Sequence, residues 1–408
     1  MNTIPTVHDS LSESTRGMKL LYMINSLGRG GAERSLAELL PYYLQHGLQV
    51  TIVCLHRMQQ GVEQEVRQLP CRLHFLPQGG WGQRIRALRH ILRDERPDLV
   101  HTTLFESDFI GRCAAIRTGI PVLTSLVNTS YENVRLSDPN VRWSRLMAVR
   151  LADGISAHLL TSHFHAVSQA VKESAVHTLY LPAHKITVVP RGRDPVRLGV
   201  ASLERKLRVR ARLGIPADAA VVLNVARQEF QKGQRFLIEA FAALARDRPN
   251  LLLVLAGRPG HATPELEKLH RATGLGDRIR FLGHRDDVPD LLAAADIFAF
   301  PSLYEGLGCA ALEAMALALP IVASDIPPLR EVVVEGENGT LVEPESSEAM
   351  AKALASLLDS PDVRLRYGRR GVERFHERFT LERCASAMLA LYEELVPASR
   401  RALREHYA

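Results

Sequence analysis

Short apolar runs alternate with amphipathic stretches along this chain, and half-way along the alternation starts afresh. In the first half Lys19–Ile24, Val50–Leu55, Asp98–His101, Pro121–Leu126, Phe164–Val167 and Ile186–Val189 read as strands, with a helical segment at Glu33–Leu44. An arginine-rich helical stretch, Leu198–Ile215, then leads into a second series: Val221–Val225, Leu251–Ala256, Ile279–Phe281, Ile297–Phe300 and Ile321–Ala323, with helices such as Arg235–Ala245 between them. Strands this short and apolar, each followed by a helix, belong to parallel sheets covered on both faces. The pattern therefore predicts an α/β chain of two doubly wound, Rossmann-like domains. A length of 408 residues agrees, being long for one hydrophobic core.

The expected divisions are a flexible tail over 1–16, an N-terminal domain over 17–197 and a C-terminal domain over 198–380, with the boundary near Pro195–Gly199. Residues 381–408 follow as a helix, Leu381–Leu395, and a basic tail, Ser399–Ala408, packing back on the N-terminal domain. Two such domains are expected to face each other across a cleft. Ligands of open α/β sheets bind beyond the carboxyl ends of the strands, so chemistry is expected in the segments just after them.

Composition excludes several classes. Apolar residues at 46% and charged residues at 24% describe a globular protein, not a fibre or a disordered chain. Cys54, Cys71, Cys113, Cys309 and Cys384 are scattered and form no Cys-x-x-Cys, so reduced thiols in a cytoplasmic setting are expected. The first sixteen residues lack the apolar core of a signal peptide, and no run approaches the ~20 apolar residues of a membrane span. Charge is uneven: residues 1–200 hold 23 Lys and Arg against 16 Asp and Glu, whereas the remainder holds 28 against 29. The basic half suits an anionic partner or is simply a solvated face. Gln83–Arg96 is a basic amphipathic helix that either rests on an anionic membrane at the cytoplasmic face or covers the sheet as an ordinary surface helix. No basic patch is interleaved with aromatics, so no nucleic acid is expected.

Three segments carry candidate chemistry. In Leu303–Pro320 (LYEGLGCAALEAMALALP) Glu305 stands in a loop with Gly306, Leu307 and Gly308, and Glu313 lies eight residues on, alone among small apolar residues of a helix. A carboxylate so placed is costly without partners; an unseen arginine or a ligand's hydroxyls would satisfy it, and the second acid beside two glycines favours the ligand. In Ala220–Phe241 the strand is followed by Arg227 and then Lys232-Gly233, two cations suited to clamp a diphosphate or merely to sit in solvent. In Ser26–Leu40 the turn Gly28-x-Gly30-Gly31 meets Glu33 where a dinucleotide fingerprint wants glycine, so an NAD site is not indicated. Asp287 and Asp296 read as helix caps or turn formers.

The Glu305-x7-Glu313 spacing in this loop–helix setting, with the Arg227…Lys232-Gly233 pair, resembles the signature of GT-B glycosyltransferases of the family 4, or group 1, type. The resemblance covers nearly the whole chain from Lys19. It implies a retaining transferase that moves sugar from a nucleotide-diphosphate sugar such as a UDP-sugar to a glycan, lipid-linked saccharide or small acceptor, in cell-envelope or exopolysaccharide biosynthesis. It further implies that Glu313 binds the donor's ribose and Glu305 the transferred sugar near the reacting carbon. Gly306, Leu307, Gly308, Gly30 and Gly31 would hold the donor through backbone groups, and Arg227 with Lys232 would neutralise the diphosphate. No cofactor and no metal would be required, and no Asp-x-Asp suggests one. The acceptor side departs from the family pattern: Leu126-Val127-Asn128 stands where many relatives carry a histidine, and Arg191 stands for a common asparagine. Glu106, Asp108 and Asn128 are the candidates there, with His101 equally readable as a satisfied strand-end residue. Two rival functions share this sequence pattern, a non-hydrolysing nucleotide-sugar epimerase and a non-catalytic binding protein.

Overall fold

Residues 15–397 are described by the structure, a computed structural model; the expected tails, up to residue 14 and from Ser399, lie outside the described residues. Thirteen strands among them form two sheets, every pair parallel. Two compact units carry one sheet each. The first is assembled from three stretches, the chain up to Tyr131, Trp143–Gly192 and the segment from Leu381. The second takes Glu132–Arg142 and Arg193–Thr380. The expected boundary at Pro195–Gly199 thus falls inside the second unit.

The first sheet runs β3-β2-β1-β4-β5-β6-β7, with β1 at Lys19–Ile24, β2 at Gln49–Cys54, β3 at Arg72–Phe75, β4 at Leu99–Thr103, β5 at Val122–Leu126, β6 at His163–Ala166 and β7 at Ile186–Val188. Successive side chains of a strand point to opposite faces, and both faces are apolar. Leu20, Tyr22 and Ile24 pack with Val50, Ile52 and Cys54 under helix α1 (Gly31–Gln45) and the C-terminal helix Leu381–Leu395. Leu21, Met23, Val53 and Val100 pack on the other side under helices α2 (Trp81–Glu95) and α3 (Phe105–Ala115). Leu88 and Leu92 of α2 are buried in that second layer with Ile85 and Ile91 against it, so the apolar face of the basic helix is spent on the sheet. Helices α4 (Trp143–Leu160) and α5 (Gln169–Leu179) complete the unit. The strand β3 escaped the sequence reading because Arg72 and His74 interrupt its apolar residues and it lies at the sheet's edge.

In the second unit helix α6 (Leu203–Arg212) precedes the sheet β10-β9-β8-β11-β12-β13. Its strands are β8 (Ala220–Val225), β9 (Leu251–Ala256), β10 (Ile279–Gly283), β11 (Ile297–Phe300), β12 (Ile321–Ser324) and β13 (Gly339–Val342). The last of these also went unread. The arginines of α6 are not a free basic face. Arg205 pairs with Asp290, Arg212 with Asp287 and Asp290, and Lys206 and Arg210 with Asp296. Asp287 makes no side-chain capping bond, and Asp296 instead accepts from the Val221 amide at 2.7 Å. Asp287 and Asp290 thus hold α6 against the helix at Val288–Ala294, and Asp296 ties it to the start of β8.

Candidate functional site

β8 and β11 are neighbours at the middle of the second sheet, and the segments leaving their carboxyl ends are bonded to each other. The Leu303 amide donates to the Gln231 carbonyl at 2.8 Å, and the Gln231 side-chain amide donates to the Tyr304 carbonyl at 2.7 Å. Gly233 makes this approach possible: its φ is +57°, and a Cβ there would lie 2.0 Å from the Pro301 carbonyl oxygen. Only glycine tolerates both.

This junction brings Lys232 to Glu305. Lys232 Nζ contacts Glu305 Oε1, the Ser302 hydroxyl donates to the same oxygen at 2.9 Å, and the ammonium lies 5.6 Å from the Phe300 ring centre. Both side chains are largely buried, which strengthens their attraction by excluding water. Arg227, two residues beyond β8, is exposed, and its side chain makes no hydrogen bond or ion pair among the described residues. Gly308, at φ +84°, turns the chain into helix α7 of the site (Cys309–Ala316), and a Cβ there would meet Leu329 at 2.7 Å. Leu307 is buried and anchors the loop that also carries Gly306.

Glu313 has an arginine after all. Arg193 Nε donates to Glu313 Oε1 at 2.7 Å and Arg197 approaches the same oxygen at 3.4 Å. Arg193 itself is buried, and its backbone amide is bonded to the Phe379 carbonyl at 2.9 Å. The other carboxylate oxygen of Glu313 has no hydrogen bond among the described residues. The sequence reading missed Arg193, Arg197 and Ser302. It also missed Arg135, whose guanidinium lies 5.9 Å from the Tyr304 ring centre, next to Glu305.

In the first unit Gly30 caps the start of α1, and a Cβ on Gly31 would come within 3.9 Å of the Arg191 guanidinium, so Arg191 lies beside that helix end. The acceptor-side candidates occupy three different settings. Glu106 is half-exposed and 3.4 Å from His56 Nε2. Asn128 folds its side-chain oxygen onto the next amide, that of Thr129, at 2.9 Å. Asp108 is buried, and its Oδ1 has no hydrogen-bond partner. Burial pushes its carboxyl up to about 7; nearby Arg112 and a Thr102 hydrogen bond oppose the shift, and Asp153 adds to it. Leu104, just before these residues, holds φ +79°, a conformation that costs a non-glycine residue energy.

His101 is satisfied inside the sheet. A chain of hydrogen bonds runs Tyr392 Oη–His101 Nδ1 (2.7 Å), His101 Nε2–Ser125 Oγ (2.7 Å), Ser125 Oγ–His165 Nδ1 (2.8 Å) and His165 Nε2–Val189 O (2.8 Å). The Val189 carbonyl only accepts, so His165 carries its proton on Nε2, Ser125 donates to its Nδ1, His101 donates to Ser125, and Tyr392 donates to His101. Burial holds His101 well below the usual histidine range and His165 down to about 4, which keeps both rings neutral.

Among the described residues no group of three His, Cys, Asp or Glu is placed to hold a metal ion, and no helix is long and apolar enough to cross a membrane. None of the five cysteines forms a disulfide among the described residues.

Known proteins match this arrangement. Residues 206–374 match the family described as Glycosyl transferases group 1, and residues 29–197 match Glycosyltransferase Family 4. The D-inositol 3-phosphate glycosyltransferase of Corynebacterium glutamicum (strain R) is 33% identical over 313 residues, 73% of this chain and 72% of that protein. The alpha-D-kanosaminyltransferase of Streptomyces kanamyceticus is 28% identical over 286 residues, 68% and 71% of the respective chains. Among solved structures, Anabaena HepE in complex with UDP and glucose superposes with a TM-score of 0.79 at 23% identity, covering 92% of this chain and all of that one. Sucrose-phosphate synthase from Thermosynechococcus elongatus gives 0.80 at 22% identity, over 93% and 99%. Two parallel-sheet Rossmann-like units of this kind are the GT-B fold. The chain belongs to the family 4, or group 1, glycosyltransferases, and it is an enzyme of that class.

Proposed function

We propose that this enzyme is a retaining, metal-independent transferase whose donor, a nucleotide-diphosphate sugar, binds to the second unit. The observation that carries the reading is the convergence of Lys232, Glu305 and the exposed Arg227 at the carboxyl ends of β8 and β11. A donor diphosphate entering there meets Arg227 as a planar fork and draws Lys232 from Glu305. Glu305 is then left to accept hydrogen bonds from hydroxyls of the transferred sugar, and Glu313, through its oxygen not held by Arg193, from those of the ribose. Backbone groups of Gly306, Leu307 and Gly308 are assigned to the donor as well.

In the reaction the bond from the anomeric carbon to the diphosphate oxygen breaks and a bond to the acceptor oxygen forms on the same face. The acceptor's hydroxyl proton passes to the departing diphosphate, so no protein nucleophile is needed. Fixed cations aimed at charge that grows on a leaving group lower the barrier most effectively where water is excluded, and Arg227 and Lys232 take the part that a divalent ion takes elsewhere. The acceptor, a glycan, lipid-linked saccharide or small molecule, is assigned to the first unit, with Glu106, Asp108 and Asn128 as candidates. The relatives' named activity on an inositol phosphate and HepE's complex with UDP and glucose support this substrate chemistry. A role in cell-envelope or exopolysaccharide synthesis, in the cytoplasm, follows as the setting. Transfer of a labelled sugar from a panel of nucleotide sugars tests the reading: Glu305→Ala and Lys232→Ala are expected to abolish it with circular dichroism unchanged. Turnover retained in both variants refutes it.

A further inference from the structure

Helix α4 is built inside out. Its buried side carries Asp153 and Ser156, which accept from the buried Arg112 guanidinium of α3 at 2.6 and 3.0 Å. Its outward side carries Leu151, Ile155 and Leu159, which are 65%, 53% and 75% exposed. With Trp143 and Met147 these residues recur every four positions, an apolar stripe over more than three turns. The stripe borders a groove of about 590 Å³ whose far wall is Leu179 and Tyr180, the tyrosine standing out from the end of α5. A contiguous exposed apolar surface of this kind marks a site of contact.

We propose that this face docks on the surface of an anionic lipid bilayer. The charges around the stripe choose that occupant. On α4 the cations are Arg145 and Arg150, the second lining the groove, and the helix's one acid, Asp153, is consumed by Arg112. Packing the same face of a second copy against it would set cations against cations, whereas an anionic interface neutralises them. Trp143 and Tyr180, at opposite parts of the patch, have the apolar body and polar tip that suit the boundary between headgroups and acyl chains. The lipid contact considered for α2 thus moves to α4, because the apolar face of α2 is packed on the sheet and that of α4 is not. Contact is peripheral, through side chains that reach the top of the acyl region.

Cosedimentation of the full chain with vesicles tests this, comparing equal mixtures of phosphatidylglycerol and phosphatidylcholine with pure phosphatidylcholine. Binding to the anionic vesicles is expected, weakened in high salt, and reduced about tenfold or more by Leu151→Glu or Ile155→Glu. Both positions are exposed, so an unchanged melting curve separates lost docking from lost folding. With Trp81→Phe, Trp143 is the remaining tryptophan of the two in the chain, and its emission is expected to shift to the blue on the anionic vesicles. Three results overturn the proposal: no binding, binding that ignores lipid charge or both glutamates, or a self-association without lipid that Ile155→Glu abolishes. Because the readout is vesicle binding and not sugar transfer, the outcome is independent of the donor-site assignment.

Discussion

Arg193 Nε donates to Glu313 Oε1 at 2.7 Å, the guanidinium 2% and the carboxylate 12% exposed. A carboxylate that reads as isolated on an apolar helix therefore rests on a buried cation contributed from 120 residues away. Such a pair is costly to split, because Glu313 then keeps only the longer contact with Arg197, at 3.4 Å, in a largely buried setting. Arg193→Met is expected to destabilise the protein by about 3 kcal/mol, and Arg193→Met with Glu313→Gln to recover much of that loss. Urea unfolding of the two variants checks it; equal losses would refute the pairing as the cause.

Arg227 offers the opposite case. Its side chain has no partner among the described residues, so Arg227→Ala is expected to leave stability within about 0.5 kcal/mol of wild type. The same change is expected to weaken UDP binding roughly 10- to 100-fold, the worth of one charge-assisted hydrogen bond. Calorimetric titration with UDP and a thermal melt, run on one preparation, separate the two quantities.

The buried Asp108 makes stability depend on pH. Its folded pKa is raised to about 7 from an ordinary value of 3.8, so between those values the folded state binds more protons than the unfolded one. Its contribution is fully present below the unfolded value and lost as pH rises through 7. His165, lowered to about 4, acts with the opposite sign: its contribution is present above the ordinary histidine value and lost as pH falls towards 4. The two slopes oppose each other, so the wild-type profile hides both. Asp108→Asn is expected to unmask the histidine slope and to stabilise the protein at pH 8 by on the order of 2–4 kcal/mol. Chemical unfolding at pH 5 and pH 8 checks it.

The donor directions around His101 and His165 require both rings to carry the proton on Nε2. Long-range proton–nitrogen correlation spectra report that tautomer directly, and an Nδ1-protonated ring would contradict the chain of bonds. Tyr392→Phe removes the donor to His101 Nδ1 and is expected to cost about 1–3 kcal/mol through an unsatisfied buried acceptor.

The donor side of the site was legible because its charged residues follow strands directly, where the topology of a parallel sheet sends ligands; Arg227, Lys232 and Glu305 needed only local pattern to be noticed. Arg193 was not, since a pairing between segments so far apart leaves no periodic trace in one sequence. Asp287 shows how local rules mislead: it stands at a helix N-cap position without a side-chain capping bond, and like Asp296 it is used by an arginine-rich helix far upstream. The strand β3 lacks the continuous apolar run of its neighbours, as an edge strand can. Helix α4 defeats the rule that the apolar side faces inward, because Arg112 demands polar partners in the interior.

The three-stretch construction of the first unit orders its birth. Its sheet ends at Val188, yet the helix that covers one of its faces begins only at Leu381, after the whole second unit has been made. A chain emerging from the ribosome therefore carries Leu20, Tyr22 and Val50 without their full cover while nearly two hundred further residues are added. Tyr392, the donor that completes the His101 chain, comes close to last. Premature termination just after Thr380 would thus leave the second unit whole and the first one unsealed, a species prone to be held by chaperones or to aggregate.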